Sequence, residues 1–170
     1  MTFFSGFSLA GEEALFDDYL EEGDFCVSGF SLGAIEAFEY TLKSKKRIDK
    51  LQLFSPAFFQ DKELKFKRVQ ELHFRKDKAQ YTKNFLKNIA YPSNYDMQIF
   101  YHDGSAEALH KLLYFEWSKQ MLQELCVRSI MIEVYLGGED KIVDTQKAKE
   151  FFQEFATVIW IKNGGHILTS

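Results

Sequence analysis

Phe25-Cys26-Val27-Ser28-Gly29-Phe30-Ser31-Leu32-Gly33-Ala34-Ile35-Glu36-Ala37-Phe38 is the stretch on which the fold turns. Its first part belongs to a strand, Asp24 to Ser28, rich in the β-formers Phe25 and Val27 and running into glycine. Its second part is helical. Leu32, Ile35, Phe38 and Leu42 recur at helix spacing, so 32–44 reads as a helix closed by the basic stretch Lys43 to Arg47. Between them lies Gly29-Phe30-Ser31-Leu32-Gly33. A serine at a strand-to-helix turn, with glycine two residues away on each side, is the pattern of a sharp turn that projects a hydroxyl above a sheet. The glycines remove Cβ atoms where the backbone crosses itself. The pentapeptide alone is a weak signal, and its strand-turn-helix setting is what strengthens it.

Working outward, Thr2 to Ser5 reads as a first strand ending at Gly6, and Gly11 to Glu22 as a helix with Glu12 and Glu13 in its first turn. Leu51 to Phe54 is a buried strand stopped by Ser55-Pro56. The alternation then lapses. Helices are expected over Asp61 to His73, Lys78 to Ile89 and Ala106 to Glu124, separated by turn chemistry at Tyr91-Pro92-Ser93-Asn94 and His102-Asp103-Gly104-Ser105. It resumes with a strand over Ser129 to Tyr135, a helix over Asp144 to Phe155 capped by Asp144, and a last strand over Thr157 to Ile161. Alternating strands and helices imply right-handed crossovers and a parallel sheet. The expectation is one α/β domain over 1–170, with about five strands and a helical insertion at about 57–128. Ligand sites in such sheets lie at the carboxyl ends of the strands. Gly6, Ser31, Ser55, Asp140 and His166 all fall there.

The composition fits a globular domain: 46% hydrophobic and 27% charged residues, with only two prolines and ten glycines in 170. Eighteen phenylalanines supply core volume and could also line an acyl pocket. A net charge of −4 gives no reason to expect nucleic acid as a partner. Cys26 and Cys126 have neither metal-ligand nor redox spacing and read as small packing hydrophobes. No segment approaches the roughly 18 apolar residues that span a membrane. The opening Met1-Thr2-Phe3-Phe4 lacks a basic region and runs into acids, so a cytoplasmic protein is expected.

A serine hydroxyl needs a base. His73 and His110 lie in helical stretches and His102 in a polar turn. His166 follows the last strand after Gly164-Gly165, where a loop can carry an imidazole over Ser31. An acid to orient it is expected between the two in the chain. In Gly137-Gly138-Glu139-Asp140-Lys141-Ile142-Val143-Asp144, Asp140 is the candidate, because Glu139 reads as solvated and Asp144 as the helix cap. The backbone N–H groups of Leu32, at a helix start, and of Phe7, after Gly6, are the candidate donors to an oxyanion. Phe7 reads equally as a core phenylalanine. No metal or cofactor is called for.

Taken together, these residues resemble an α/β-hydrolase reduced to near its minimum. The order is an oxyanion loop, G-x-S-x-G, Ser-Pro after the next strand, an Asp loop and a terminal Gly-Gly-His. The loop Ser5-Gly6-Phe7-Ser8-Leu9-Ala10-Gly11-Glu12, the G-F-S-L-G turn and Ser55-Pro56-Ala57-Phe58-Phe59 are most similar to the pimeloyl-acyl-carrier-protein methyl ester esterases of biotin synthesis, in the short BioV type of Helicobacter-type bacteria. Two departures stand out: Ser5 replaces the usual histidine, and the span from Gly6 to Ser31 is too short for the customary extra strand and helix. The resemblance implies hydrolysis of a methyl ester at the free end of pimeloyl-acyl-carrier protein, with Ser31, His166 and Asp140 as the catalytic set. Over 61–87 the insertion carries nine basic side chains against four acidic, a balance of about +5 on an otherwise acidic chain. Lys65, Arg68, Arg75 and Lys76 are candidate contacts for the acidic carrier. The plain alternative is a solvated helical face. Phe58 and Phe59, with Phe7, are the acyl-pocket candidates. Phe58, Phe59, Leu64, Phe66, Leu72, Phe74, Phe85 and Leu86 are expected to cover the site and form a channel to Ser31. A general short-chain carboxylesterase or thioesterase, and a non-catalytic binding protein of the same fold, share most of these features.

Overall fold

The computed structural model describes residues 2–170. Five strands, β1 (Thr2–Phe4), β2 (Cys26–Phe30), β3 (Lys50–Phe54), β4 (Met131–Gly137) and β5 (Thr157–Ile161), form one sheet in chain order, every pair parallel. This order decides where the helices go. Right-handed crossovers that all step in one direction place their helices on the same face. There, α1 (Leu32–Lys43) packs on β1, β2 and β3, α5 (Lys119–Val127) on β4 and α1, and α6 (Thr145–Phe152) on β4 and β5. Val27, Leu51, Leu53, Val134 and Leu136 meet Ile35, Phe38, Leu122, Leu125 and Phe152 in the larger core.

The opposite face has no crossover helix, and its side chains show how the chain manages without one. Ser28, Gln52 and Glu133 stand in register across β2, β3 and β4. Gln52 Nε2 offers its two protons among three acceptors, Glu133 Oε2 at 3.0 Å, the Tyr135 hydroxyl at 3.0 Å and the Tyr19 carbonyl at 2.9 Å. Lys50 Nζ donates to Glu133 Oε1 at 3.0 Å and also reaches Glu21. Burial raises the Glu133 carboxyl, but hydrogen bonds from Tyr135, Lys50 and Gln52 outweigh it and hold the group below its ordinary value. Two residues further along the strands, the row turns aromatic. Phe30, Phe54 and Tyr135 lie in register, and Phe16 sits on them with centroids 4.7 Å from Phe54 and 4.9 Å from Phe30. Apolar cover is concentrated beside the carboxyl ends, and the row behind it, Ser28, Gln52 and Glu133, is polar and hydrogen-bonded.

Two expected helices are corrected. The stretch 11–22 forms only a four-residue 3₁₀ turn, Glu13–Phe16. This segment must carry the chain back along the sheet from β1 to β2 while seating Phe16, and a full helix of twelve residues does neither. The stretch 106–124 is two helices, α4 (Ala106–Tyr114) and α5, interrupted where Trp117 turns inward. Trp117 Nε1 donates to the Ala57 carbonyl at 2.8 Å, and Ser118 caps α5 by accepting from Met121 N. The part of the insertion over the strand ends is therefore α2 (Leu64–Lys76), α3 (Lys78–Ala90) and α4, whereas α5 is a crossover helix on the sheet. Asp144 caps α6 as expected, accepting from Lys147 N at 3.1 Å. Cys26 and Cys126 are unbridged. Among the described residues no helix is long and apolar enough to cross a membrane.

Candidate active site

Ser31 sits between β2 and α1 with φ 55° and ψ −112°, a backbone conformation that side chains with a Cβ rarely adopt. Neighbouring chain holds it there. Ser31 N donates to the Phe54 carbonyl at 3.0 Å, and its carbonyl accepts from Ala34 N at 3.2 Å and Ala57 N at 3.1 Å. The flanking glycines are sterically required. A Cβ on Gly29 would lie 2.1 Å from the Gly33 carbonyl oxygen, and one on Gly33 would lie 2.0 Å from that of Phe4. The second contact has a further result: the first turn of α1 abuts the end of β1, so the candidate donors Leu32 and Phe7 lie on adjoining segments. Leu32 N–H, at the helix start, has no acceptor within the helix by position.

His166 Nε2 lies 3.0 Å from Ser31 Oγ, and His166 Nδ1 lies 2.6 Å from Asp140 Oδ2. A carboxylate only accepts, so Nδ1 carries the proton and Nε2 is left to accept from the serine hydroxyl. The His166 and Asp140 side chains have no exposed surface. Asp140 is itself fixed, since its Oδ1 accepts from Ile142 N at 2.6 Å and Val143 N at 3.2 Å. The N–H groups of Ile142 and Val143 thus aim the carboxylate. The His166 loop closes onto the Asp140 loop through Glu139 N, which donates to the Gly164 carbonyl at 2.9 Å. Gly165 has no room for a side chain, because a Cβ there would meet the Tyr91 carbonyl oxygen at 1.6 Å.

Three contributors were not assigned roles by sequence reasoning. Ser55 Oγ donates to the His166 carbonyl at 2.6 Å, locking the backbone that carries the imidazole. Its place in a Ser-Pro turn after β3 was the available signal. The Phe30 ring packs against the imidazole with centroids 5.1 Å apart. Glu12, expected in a helical first turn, is instead fully buried and accepts from Gly6 N at 2.6 Å. Its carboxyl is raised chiefly by burial.

The acyl-pocket candidates separate. Phe59 stacks on Phe66 and lines a cavity of about 300 Å³ between α2, α3, α4 and the Asp140 loop, together with Phe85, Leu112, Leu113 and Ile142. Phe58 packs in the core on Phe151 and Phe152 of α6 and does not line this cavity. Phe7 is buried with its ring against Phe74 and Phe85. The expected open channel is also corrected: Ser31 is 1% exposed, and it does not line this cavity. Leu64 and Leu72 point to solvent instead of covering the site. Lys65, Arg68, Arg75 and Lys76 are all exposed on α2. Their spacing places them along one face of the helix, with Leu72 among them. Among the described residues no group of three or more His, Cys, Asp or Glu side chains is placed to hold a metal ion.

The architecture is that of the α/β-hydrolases. No protein-family model and no curated protein matches the chain by sequence. Among solved structures, it is similar to an esterase (EaEST) from Exiguobacterium antarcticum, with TM-score 0.66 and 18% identity over 82% of this chain and 58% of that one. BioG from Haemophilus influenzae is matched more nearly end to end: TM-score 0.61, 12% identity, 98% of this chain and 87% of that one. E-2-(acetamidomethylene)succinate hydrolase gives TM-score 0.59 and 14% identity over 98% and 84%. The chain thus spans a little over half the length of several matched esterases and hydrolases, and most of the length of BioG and of E-2-(acetamidomethylene)succinate hydrolase.

Proposed function

We propose that the protein is a serine carboxylesterase in which Ser31 is the nucleophile, His166 the general base and acid, and Asp140 the group that orients the imidazole. The observation that carries this reading is the unbroken relay from Asp140 through His166 to the Ser31 hydroxyl, on a strained turn at a strand end. Ser31 Oγ attacks the ester carbonyl as His166 Nε2 takes its proton. The oxyanion is held by the N–H groups of Leu32 and Phe7. The tetrahedral species collapses, and His166 returns the proton to the departing alkoxide, which leaves as methanol. Water, deprotonated by His166, then attacks the acyl-serine, releasing the free acid and restoring Ser31.

The proposed substrate is the methyl ester of pimeloyl-acyl-carrier protein, as for the short BioV type, with an acyl-carrier protein as partner. Three features support it: the sequence resemblance, the nearly end-to-end structural match to BioG, and the exposed basic face of α2. The test compares hydrolysis of the carrier-bound methyl ester with that of p-nitrophenyl butyrate as salt rises. The expected preference for the carrier-bound ester shrinks with salt, because exposed charges are screened over about 10 Å at 0.1 M. Reversing Lys65 and Arg68 to Glu raises KM for the carrier ester about tenfold, equivalent to about 1.4 kcal/mol, and leaves the small ester unchanged. Equal, salt-independent rates on both substrates would favour a general short-chain esterase. No turnover of either would leave a binding protein.

A further inference from the structure

The geometry points to Glu12 as a positioning residue of the same site: its buried carboxyl group holds the Gly6 N–H so that the next one, on Phe7, faces the acyl oxygen above Ser31. This rests on the esterase reading. Glu12 has no exposed surface; Oε1 accepts from Gly6 N at 2.6 Å, and Oε2 is buried without a hydrogen-bond partner. Burying a carboxyl group is costly, and the local backbone does not require it. Glu12 stands at the cap position of the 3₁₀ turn Glu13–Phe16, yet its side chain makes no capping bond. It reaches back six residues to the loop instead.

Other ties on the loop come from the insertion side. Ala10 N donates to the Phe100 carbonyl at 2.9 Å, His102 N donates to that of Ser8 at 2.9 Å, and the Phe7 ring rests against Phe74 of α2 and Phe85 of α3. Ser31 is sealed with the insertion in this position, so admitting an ester requires these elements to shift. Glu12 belongs to the segment between β1 and β2, outside the insertion, so its hold on Gly6 does not depend on the insertion. Gly6 has little room for an anchor of its own, since a Cβ would lie 2.9 Å from the Phe30 ring. Burial also pushes the Glu12 carboxyl up, against the hydrogen bond from Gly6, which lowers it.

The test measures kcat and KM for p-nitrophenyl butyrate in Glu12→Ala, Glu12→Asp and Glu12→Gln, normalised to serine titratable by a fluorophosphonate. Gln keeps an oxygen at the same reach, whereas Asp falls short and Ala has none. Expected are a kcat loss of about 100-fold for Ala and Asp, KM nearly unchanged, and near wild-type kcat for Gln. Inhibition by a trifluoromethyl ketone, which forms a tetrahedral oxyanion on the serine, weakens in step with kcat. If Glu12→Ala does not fold, the Asp and Gln pair decides. Wild-type kcat in Ala or Asp overturns the proposal, as does a loss in Gln as large as that in Asp. A wild-type protein no more active than Ser31→Ala overturns the esterase reading itself, and the role of Glu12 with it.

Discussion

At the scale of single residues, Ser31 shows stability set aside for geometry. Its φ of 55° with ψ of −112° is held by bonds to Phe54, Ala34 and Ala57. Such conformations cost a residue with a Cβ about 1–3 kcal/mol. Ser31→Ala keeps the strain and loses the hydroxyl, whereas Ser31→Gly loses both. Glycine gives back part of the gain as chain entropy. Ser31→Gly is therefore expected to be more stable than Ser31→Ala by about 1 kcal/mol, as read from paired urea unfolding curves. Equal stability of the two, or a less stable glycine variant, means the turn is not strained. The placement of Ser31, His166 and Asp140 was legible in the sequence because each sits at a punctuation point: a G-x-S-x-G turn, a Gly-Gly turn, and a loop before an apolar anchor. Glu12 was not legible. An acid beside Glu13 before a short apolar run has the pattern of a solvated first turn, and only the return of the chain onto Gly6 makes it a buried group.

At the scale of elements, all five strands were readable, since each is a short apolar run bounded by turn residues. The shortfalls came where a single side chain overrides local preference. Phe16 must reach the Phe30 and Phe54 rings, and this limits 11–22 to one helical turn. Trp117 must reach the Ala57 carbonyl, which splits 106–124 in two, with Ser118 capping the second helix. The polar row on the face without crossover helices depends on register, which alternation alone does not reveal. Glu133 is its hub, with a carboxyl held below its ordinary value. A depressed carboxyl stabilises the fold above the unfolded-state value of 4.5 and ceases to as pH falls through the lower folded value. Glu133→Gln is expected to cost about 1–3 kcal/mol at pH 7 and to flatten the stability loss below pH 4.5. Urea midpoints across that range measure it. An unchanged acid limb would show that the row adds nothing through Glu133.

For the whole molecule, strand order determines the plan. With every helical crossover on one face, the other is left to the short β1–β2 connection and a polar row, which is how 170 residues support a site of this kind. The insertion above the strand ends supplies both a cover, with Ser31 nearly fully buried, and an exposed basic helix face. Its helical character and charge were evident from the sequence; its closed position was not, because closure depends on how Phe7, Phe74 and Phe85 meet across distant segments. The proposed chemistry depends most on Ser31 being activated by the imidazole of His166. The direct measurement is intact-protein mass spectrometry during reaction with a small fluorophosphonate. The wild-type protein should gain a single adduct on Ser31, Ser31→Ala none, and His166→Ala should react at least about 1000-fold more slowly. An adduct forming on Ser31→Ala at the wild-type rate, or His166→Ala labelling as fast as wild type, would contradict it.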